Sequence, residues 1–251
     1  MRHPFHIVTI SPWPFLISMN LLFFMINFVA LLSGLTYSFI TYIISFIAVL
    51  FILYLWINDM IIESHSGSHS NLHSKTLLIA FIWFCLTEVM IFFSLFWAYF
   101  HGAFNPVFLV WPPIGIDIVN PYSIPLLNTV LLFWGGLAAT AAHHYYINLD
   151  RKNSLFYLAN AIFLTIIFFL CQIFEYNVSQ FDITDSVFGT TFFMLTGLHF
   201  FHILCAIIAL TILLIRVYNY HNTDLYYSSI LLYFHLLDAI WILLVLLVYI
   251  N

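Results

Sequence analysis

Charge is what this sequence has least of. Five Lys and Arg and ten Asp and Glu are spread over 251 residues, so charged residues make up 6% of the chain. A soluble domain carries about 25%, and a surface facing water cannot be assembled from so few. A water-soluble globule is thereby excluded. Cysteine is scarce too: Cys85, Cys171 and Cys205 lie far apart inside apolar runs. That spacing offers neither a disulfide framework nor a metal-ligand motif and reads as three small buried hydrophobes. No Gly-rich phosphate loop, Ser/His/Asp triad or Cys-x-x-Cys motif occurs, and no basic run suits nucleic acid. The net charge of −5 is dispersed and implies no strongly acidic or basic partner. The opening Met1-Arg2-His3-Pro4-Phe5-His6 has neither the pattern of a secretory signal nor that of an amphipathic transit peptide.

What is present in quantity is apolar: 64% of the residues are hydrophobic and 20% aromatic. They fall in runs near 15–33, 36–57, 77–103, 126–147, 155–177, 187–217 and 228–250. Each is long enough, at about 1.5 Å per helical residue, to cross a hydrocarbon layer of about 30 Å. The breaks between them are Ser33-Gly34, a polar stretch from Asn58 to Thr76, a Pro-rich segment with Trp111-Pro112-Pro113 and Asn120-Pro121, then Asn148 to Asn153 and Glu175 to Asp185. Seven spans put Arg2, Lys75, Arg151, Lys152 and Arg216, every basic residue in the chain, on the N-terminal side. Asp117, Glu175, Asp182 and Asp185 fall on the other. Such segregation is the positive-inside bias and places the N-terminus on the cytoplasmic or matrix side. Trp13, Trp56, Trp97 and Trp111 fall near span ends, as interfacial aromatics do. In span four Gly135-Gly136, Ala138-Ala139 and Ala141-Ala142 predict close helix packing. No internal repeat is apparent, which weighs against the common transporter architectures.

The few polar groups inside the spans carry the functional question. Glu88 lies near the middle of span three, where an ionised carboxylate is costly. It is expected to be protonated, paired or facing a polar cavity. Function is the default reading of such a residue, and a neutral acid bonded to a backbone carbonyl is the structural one. His199 and His202, three apart on span six, share a helical face. Interhelical hydrogen bonding and haem or copper ligation are the competing roles. His235 and Asp238 have the same spacing on span seven and read as a structural polar pair, with a proton relay as the alternative. Glu88 and this pair are the only deep charges the sequence leads one to expect. His143-His144 point about 100° apart and mark an interfacial helix end. His65, His69 and His73 read as a solvated loop in preference to a surface metal site.

An ordered series of motifs adds to this. It runs from His3-Pro4-Phe5-His6 and Ser11-Pro12-Trp13-Pro14 through Trp56 to Asp59 with Glu63-Ser64, then Glu88 with Phe96-Trp97-Ala98-Tyr99-Phe100-His101. It continues with Trp111-Pro112-Pro113-Ile114-Gly115-Ile116, Ile124-Pro125-Leu126-Leu127-Asn128-Thr129, Ala142-His143-His144 and Phe174-Glu175-Tyr176. It ends with Phe188-Gly189-Thr190-Thr191-Phe192-Phe193, Thr196-Gly197-Leu198-His199 with His202, and Phe234-His235 with Asp238 and Trp241. Over nearly its whole length the chain resembles subunit III of haem–copper cytochrome c oxidase, mitochondrial type.

The resemblance implies an all-α polytopic fold of seven transmembrane helices, with spans one and two (1–57) and spans three to seven (77–251) forming two bundles around a V-shaped, lipid-holding cleft. Residues 58–76 would be a loop on the matrix side. It implies a core accessory subunit of complex IV in the mitochondrial inner membrane, with the C-terminus on the intermembrane-space side. That enzyme passes electrons from cytochrome c to O₂ and pumps protons. The haem a, haem a₃ and copper are expected on partner subunits I and II, with no cofactor, catalytic residue or metal on this chain. Further accessory subunits and phospholipids are the other expected partners. Glu88 matches the family's intramembrane carboxylate beside the cleft. Trp56, Glu63, His69, Arg216 and His221 match positions expected at lipid headgroups. Asn58, Ile62 and Asn219 stand where basic residues are frequent in the family, Phe234 where Trp is frequent, and Phe200 where Gly is usual. A membrane b-type cytochrome using His199, His202 and His235, or a proton-coupled transporter centred on Glu88, are the alternative functions.

Overall fold

The structure is a computed structural model that describes residues 10–35, 37–65, 71–106, 110–220 and 224–250. Among the described residues seven helices follow one another: α1 Trp13–Leu32, α2 Ser38–His65, α3 Asn71–Phe104, α4 Ile124–Ile147, α5 Arg151–Val178, α6 Val187–Tyr218 and α7 Asp224–Leu244, the last prolonged by a π-helical turn, Val245–Tyr249. No strand occurs among the described residues. The shortest helix has 20 residues and the longest 34, so at the helical rise all reach about 30 Å or more. Seven are long and apolar enough to cross a membrane, as the run lengths require. The chain is a multi-pass membrane protein.

The breaks have local causes. Gly34 at φ 69° turns the chain between α1 and α2, a left-handed conformation that glycine adopts without a side-chain clash. Asp150 caps α5 by accepting from the Asn153 amide at 3.3 Å, and the Ser186 hydroxyl caps α6 by accepting from the Gly189 amide at 3.2 Å. Two expected boundaries move. The polar stretch 58–76 is largely helical, because α2 runs to His65 and α3 begins at Asn71. Once a span has nucleated the helix, each further residue gains a backbone bond at little cost, polar or not. Likewise α5 ends at Val178, next to the expected end of its run at 177, so Glu175 belongs to the helix and not to the break that follows.

Two compact units divide between Leu77 and Leu78. In the first, α1 and α2 form a hairpin. The Trp13 indole donates to Asp59 at 2.8 Å, tying the start of α1 to the end of α2, and Phe24 lies 5.1 Å from Tyr42 and 6.0 Å from Phe46. In the second, α4 packs on α5, α5 on α6, α6 on α7 and α7 back on α4, a closed ring of four helices. Helix α3 lies against α6 and α7, with Phe92 beside His199 and His202 and Phe81 beside Tyr233.

Buried residues recur every three or four positions along each ring helix. On α5 they are Ser154, Leu158, Ala161, Thr165, Phe168, Gln172 and Glu175. This is the seam of helices packed side by side, but the outward faces are apolar as well: Phe163, Phe201 and Ile208 are all exposed. A helix apolar all round belongs in lipid or in a core. The inward face of α4 is made of small residues, Gly135, Gly136, Ala138, Ala139 and Ala142, which let neighbouring backbones approach.

Glycine placement gives a direct check. A Cβ on Gly189 would strike the backbone carbonyl of Asp182, whereas one on Gly197 would meet open space. Gly189→Ala is expected to destabilise the protein by about 1–3 kcal/mol. Gly197→Ala should be neutral or stabilising by up to about 1 kcal/mol. Thermal unfolding in detergent reads both, and equal effects would contradict the assigned packing.

Candidate functional site

The polar side chains within the five-helix unit gather at three places. The first joins α3 to α6. Glu88 Oε2 lies 3.0 Å from His202 Nε2, both side chains largely buried, and the Tyr233 hydroxyl donates to the His202 carbonyl at 3.4 Å. One proton held between carboxyl and imidazole makes the pair net neutral whichever group carries it, which removes most of the cost of burying a charge. His202 also lies against Phe92, with ring centroids 5.4 Å apart. One turn away, His199 is enclosed by Phe92, Phe168 and Trp241 at 6.5, 5.9 and 5.2 Å. Neither of its ring nitrogens has a hydrogen-bond partner among the described residues. It therefore meets the neighbouring helices through rings and not through hydrogen-bonding groups.

The second place is the α4–α7 face. His235 Nδ1 and Asp238 Oδ2 are 3.4 Å apart, and His235 Nε2 lies 3.0 Å from the Thr140 hydroxyl. Because that hydroxyl already gives its proton to the Gly136 carbonyl at 2.9 Å, the imidazole Nε2 must be the donor to Thr140. The Nδ1 side then bonds Asp238 only if a proton lies between them. Gly136 makes room for this cluster, since a Cβ there would sit 2.5 Å from Asp238 Oδ2.

The third place was not legible as a site. Glu175, expected in the segment between spans five and six, is 2% exposed. The Tyr249 hydroxyl donates to its Oε1 at 2.6 Å and the Gln172 amide at 3.1 Å, while Asn128 donates to Gln172 at 3.2 Å. This network links α4, α5 and the C-terminal π turn. The sequence did contain a signal: Ser154, Thr165, Gln172 and Glu175 are polar residues whose spacing of 11, 7 and 3 puts them on one face of α5. Glu88 and the His235/Asp238 pair are therefore not the only deep charges.

At the helix ends, Arg151 donates from Nε to the Val217 carbonyl at 2.9 Å and lies 3.5 Å over the Tyr220 ring. This satisfies one of the last carbonyls of α6 with a cation, where the helix dipole favours one. Arg216 lies 5.3 Å over Tyr226. Trp56 and Glu63 are partly buried near the end of α2. His69 and His221 lie outside the described residues. Among the described residues no three His, Cys, Asp or Glu side chains converge as metal ligands do.

Comparison with known proteins gives a single answer. A family model described as cytochrome c oxidase subunit III matches residues 3–251. The chain is 40% identical to "Cytochrome c oxidase subunit 3" of Candida parapsilosis over 254 residues, covering 98% of this chain and 94% of that protein. It is 38% identical to the protein of the same name from Podospora anserina, with 98% and 94% covered. With that from Chondrus crispus it shares 35% identity, covering 99% and 94%.

The Glu175 network should behave as a coupled unit. Tyr249→Phe removes a donor from a buried carboxyl group and is expected to lower stability by about 1–3 kcal/mol. Combined with Glu175→Leu, the two effects should be clearly less than additive in a double-mutant cycle. Full additivity in thermal unfolding would show that the two side chains do not interact.

Proposed function

This chain belongs to the cytochrome c oxidase subunit III family, and from that premise we propose that its polar pairs act as internal struts of a cofactor-free subunit. It is an accessory subunit of complex IV and assembles with other subunits of that oxidase. The observation that carries the proposal is that each buried carboxylate faces a partner within the chain: Glu88 lies 3.0 Å from His202, Asp238 3.4 Å from His235, and Glu175 accepts from Tyr249 and Gln172. A catalytic acid or base needs a substrate within reach, whereas these groups are turned toward one another. In this reading haem a, haem a₃ and copper reside on partner subunits I and II. The present chain supports electron transfer from cytochrome c to O₂ by stabilising subunit I and sustaining proton uptake. Its place is the mitochondrial inner membrane, with the N-terminus on the matrix side, as the one-sided basic residues favour.

Lipid contact is the second part of the proposal. Trp56 and Glu63 near the end of α2, and Arg216 near the end of α6, stand where headgroups meet aromatic and charged side chains. His69 and His221 are assigned to the same role from the family resemblance alone. The reading as a b-type cytochrome is disfavoured because two of its three candidate ligands are engaged elsewhere, His202 with Glu88 and His235 with Thr140 and Asp238.

Glu88→Gln preserves the shape of the side chain and a hydrogen bond to His202. In the assembled oxidase it should leave initial turnover within about twofold, a barrier change under about half a kcal/mol. Glu88→Leu, which leaves His202 without its partner, should shorten the time over which turnover is sustained. Abolished O₂ reduction in assembled Glu88→Gln enzyme would refute the strut role. Purification of the chain without haem a absorbance or companion subunits would refute the functional assignment itself.

A further inference from the structure

The cluster on the α4–α7 face is exposed in a way the other two are not. The His235 side chain is 46% exposed, and it stands close to the middle of the span Asp224–Tyr249. At the same depth α6 presents Phe201, Leu204 and Ile208, side chains at ease in hydrocarbon. An imidazole facing acyl chains at mid-depth is costly, and ionisable residues within spans almost always face protein, a partner group or water. The cluster also has bonding capacity left over. The exposed imidazole is held only loosely on one side, because the His235 Nδ1–Asp238 Oδ2 separation of 3.4 Å is long for a hydrogen bond. Beside it runs a groove of about 310 Å³ between α4 and α7, lined by Thr129, Val130, Phe133, Trp134, Trp241 and Ile242, with Asp238 opening into it.

We propose that this α4–α7 face is an interface within the oxidase, covered by a membrane-spanning helix of another subunit that places a hydroxyl, amide or unpaired carbonyl group against the exposed imidazole of His235. The groove admits an apolar side chain from that helix, flanked by Phe133 and Trp134, while the polar cluster fixes its depth and rotation. Lipid is the poorer occupant, because an acyl chain fills the groove but offers no polar group to the exposed imidazole. The inference rests on the chain being an oxidase subunit, which supplies the partner helices.

Two measurements on the intact complex test it. In the first, p-benzoylphenylalanine replaces Phe133, which is 59% exposed, and the complex is photolysed in its native membrane. The expected product is a covalent adduct with a membrane-spanning segment of another oxidase subunit. In the second, His235→Leu and Thr140→Val are each incorporated and retention of the chain is followed under detergent challenge. Removing one interhelical polar bond from the interface should make the subunit dissociate about threefold to thirtyfold more readily. Leucine suits lipid better than histidine, so unchanged or improved retention of His235→Leu would overturn the proposal. So would adducts confined to lipid or to this chain's own helices in a complex that still carries haem a. A chain that purifies without companion subunits would overturn both this interface and the functional assignment beneath it.

Discussion

Hydrocarbon offers no hydrogen-bond partner, and this one constraint organises the molecule at every level. For the backbone it permits only structures that satisfy their own amides and carbonyls, so the spans are helical throughout, with Asp150 and Ser186 capping α5 and α6 and a left-handed glycine turning the chain after α1. For side chains it has the same force. A carboxylate in a span must be neutralised or bonded, and Glu88, Glu175 and Asp238 each have a bonding partner on the chain. The hydrophobic effect, by contrast, does little to choose inside from outside here. Phenylalanine and isoleucine line the buried and exposed faces alike, so shape and polar pairing decide which faces meet.

Shape enters mainly through α4. Its glycines and alanines bring α5 and α7 close, and that closeness makes the His235–Asp238–Thr140 cluster possible. With a larger residue at Gly136 the Asp238 carboxylate would have no room beside His235. The aromatic core serves the complementary purpose on the other side of the ring. Phe92, Phe168 and Trp241 enclose His199, so a polar ring is treated as one more aromatic plate. Packing and polarity are thus not separate layers of the design: small residues create the distances at which hydrogen bonds form, and those bonds in turn set helix rotation.

The three polar clusters join different helix pairs of the five-helix unit, and their exposure differs: the His235 side chain is 46% exposed, whereas Glu88 and His202 are largely buried. Glu88–His202 and Glu175–Tyr249 are enclosed within the unit, with side chains that are largely or fully buried. His235–Asp238–Thr140 reaches the surface of the unit with capacity unfilled, which is how an accessory subunit would be expected to meet its neighbour. The family to which the chain belongs supplies the assembly, and the local chemistry supplies a reason for choosing this face.

Much of the fold was legible because hydrocarbon thickness converts a span into a countable run of letters. Seven runs, the breaks between them and the one-sided basic residues need no knowledge of neighbours, and the ordered motifs carried the family. Boundaries drifted where polar residues continued a helix already begun, as at Asn58 to His65 and at Glu175. The pairings were another matter. Glu88 and His202 stand 114 positions apart, and Glu175 and Tyr249 stand 74 apart. Both members of the first pair drew notice as residues, but nothing in the sequence joined them. Helices apolar all round have no amphipathic stripe to fix their rotation, so which polar groups come face to face is decided only when the helices pack. The sequence by itself determined how many times the chain crosses the membrane and which residues are costly there. Tertiary structure alone decided which of those residues relieve one another, because that depends on helix neighbours and rotations that a linear pattern does not encode.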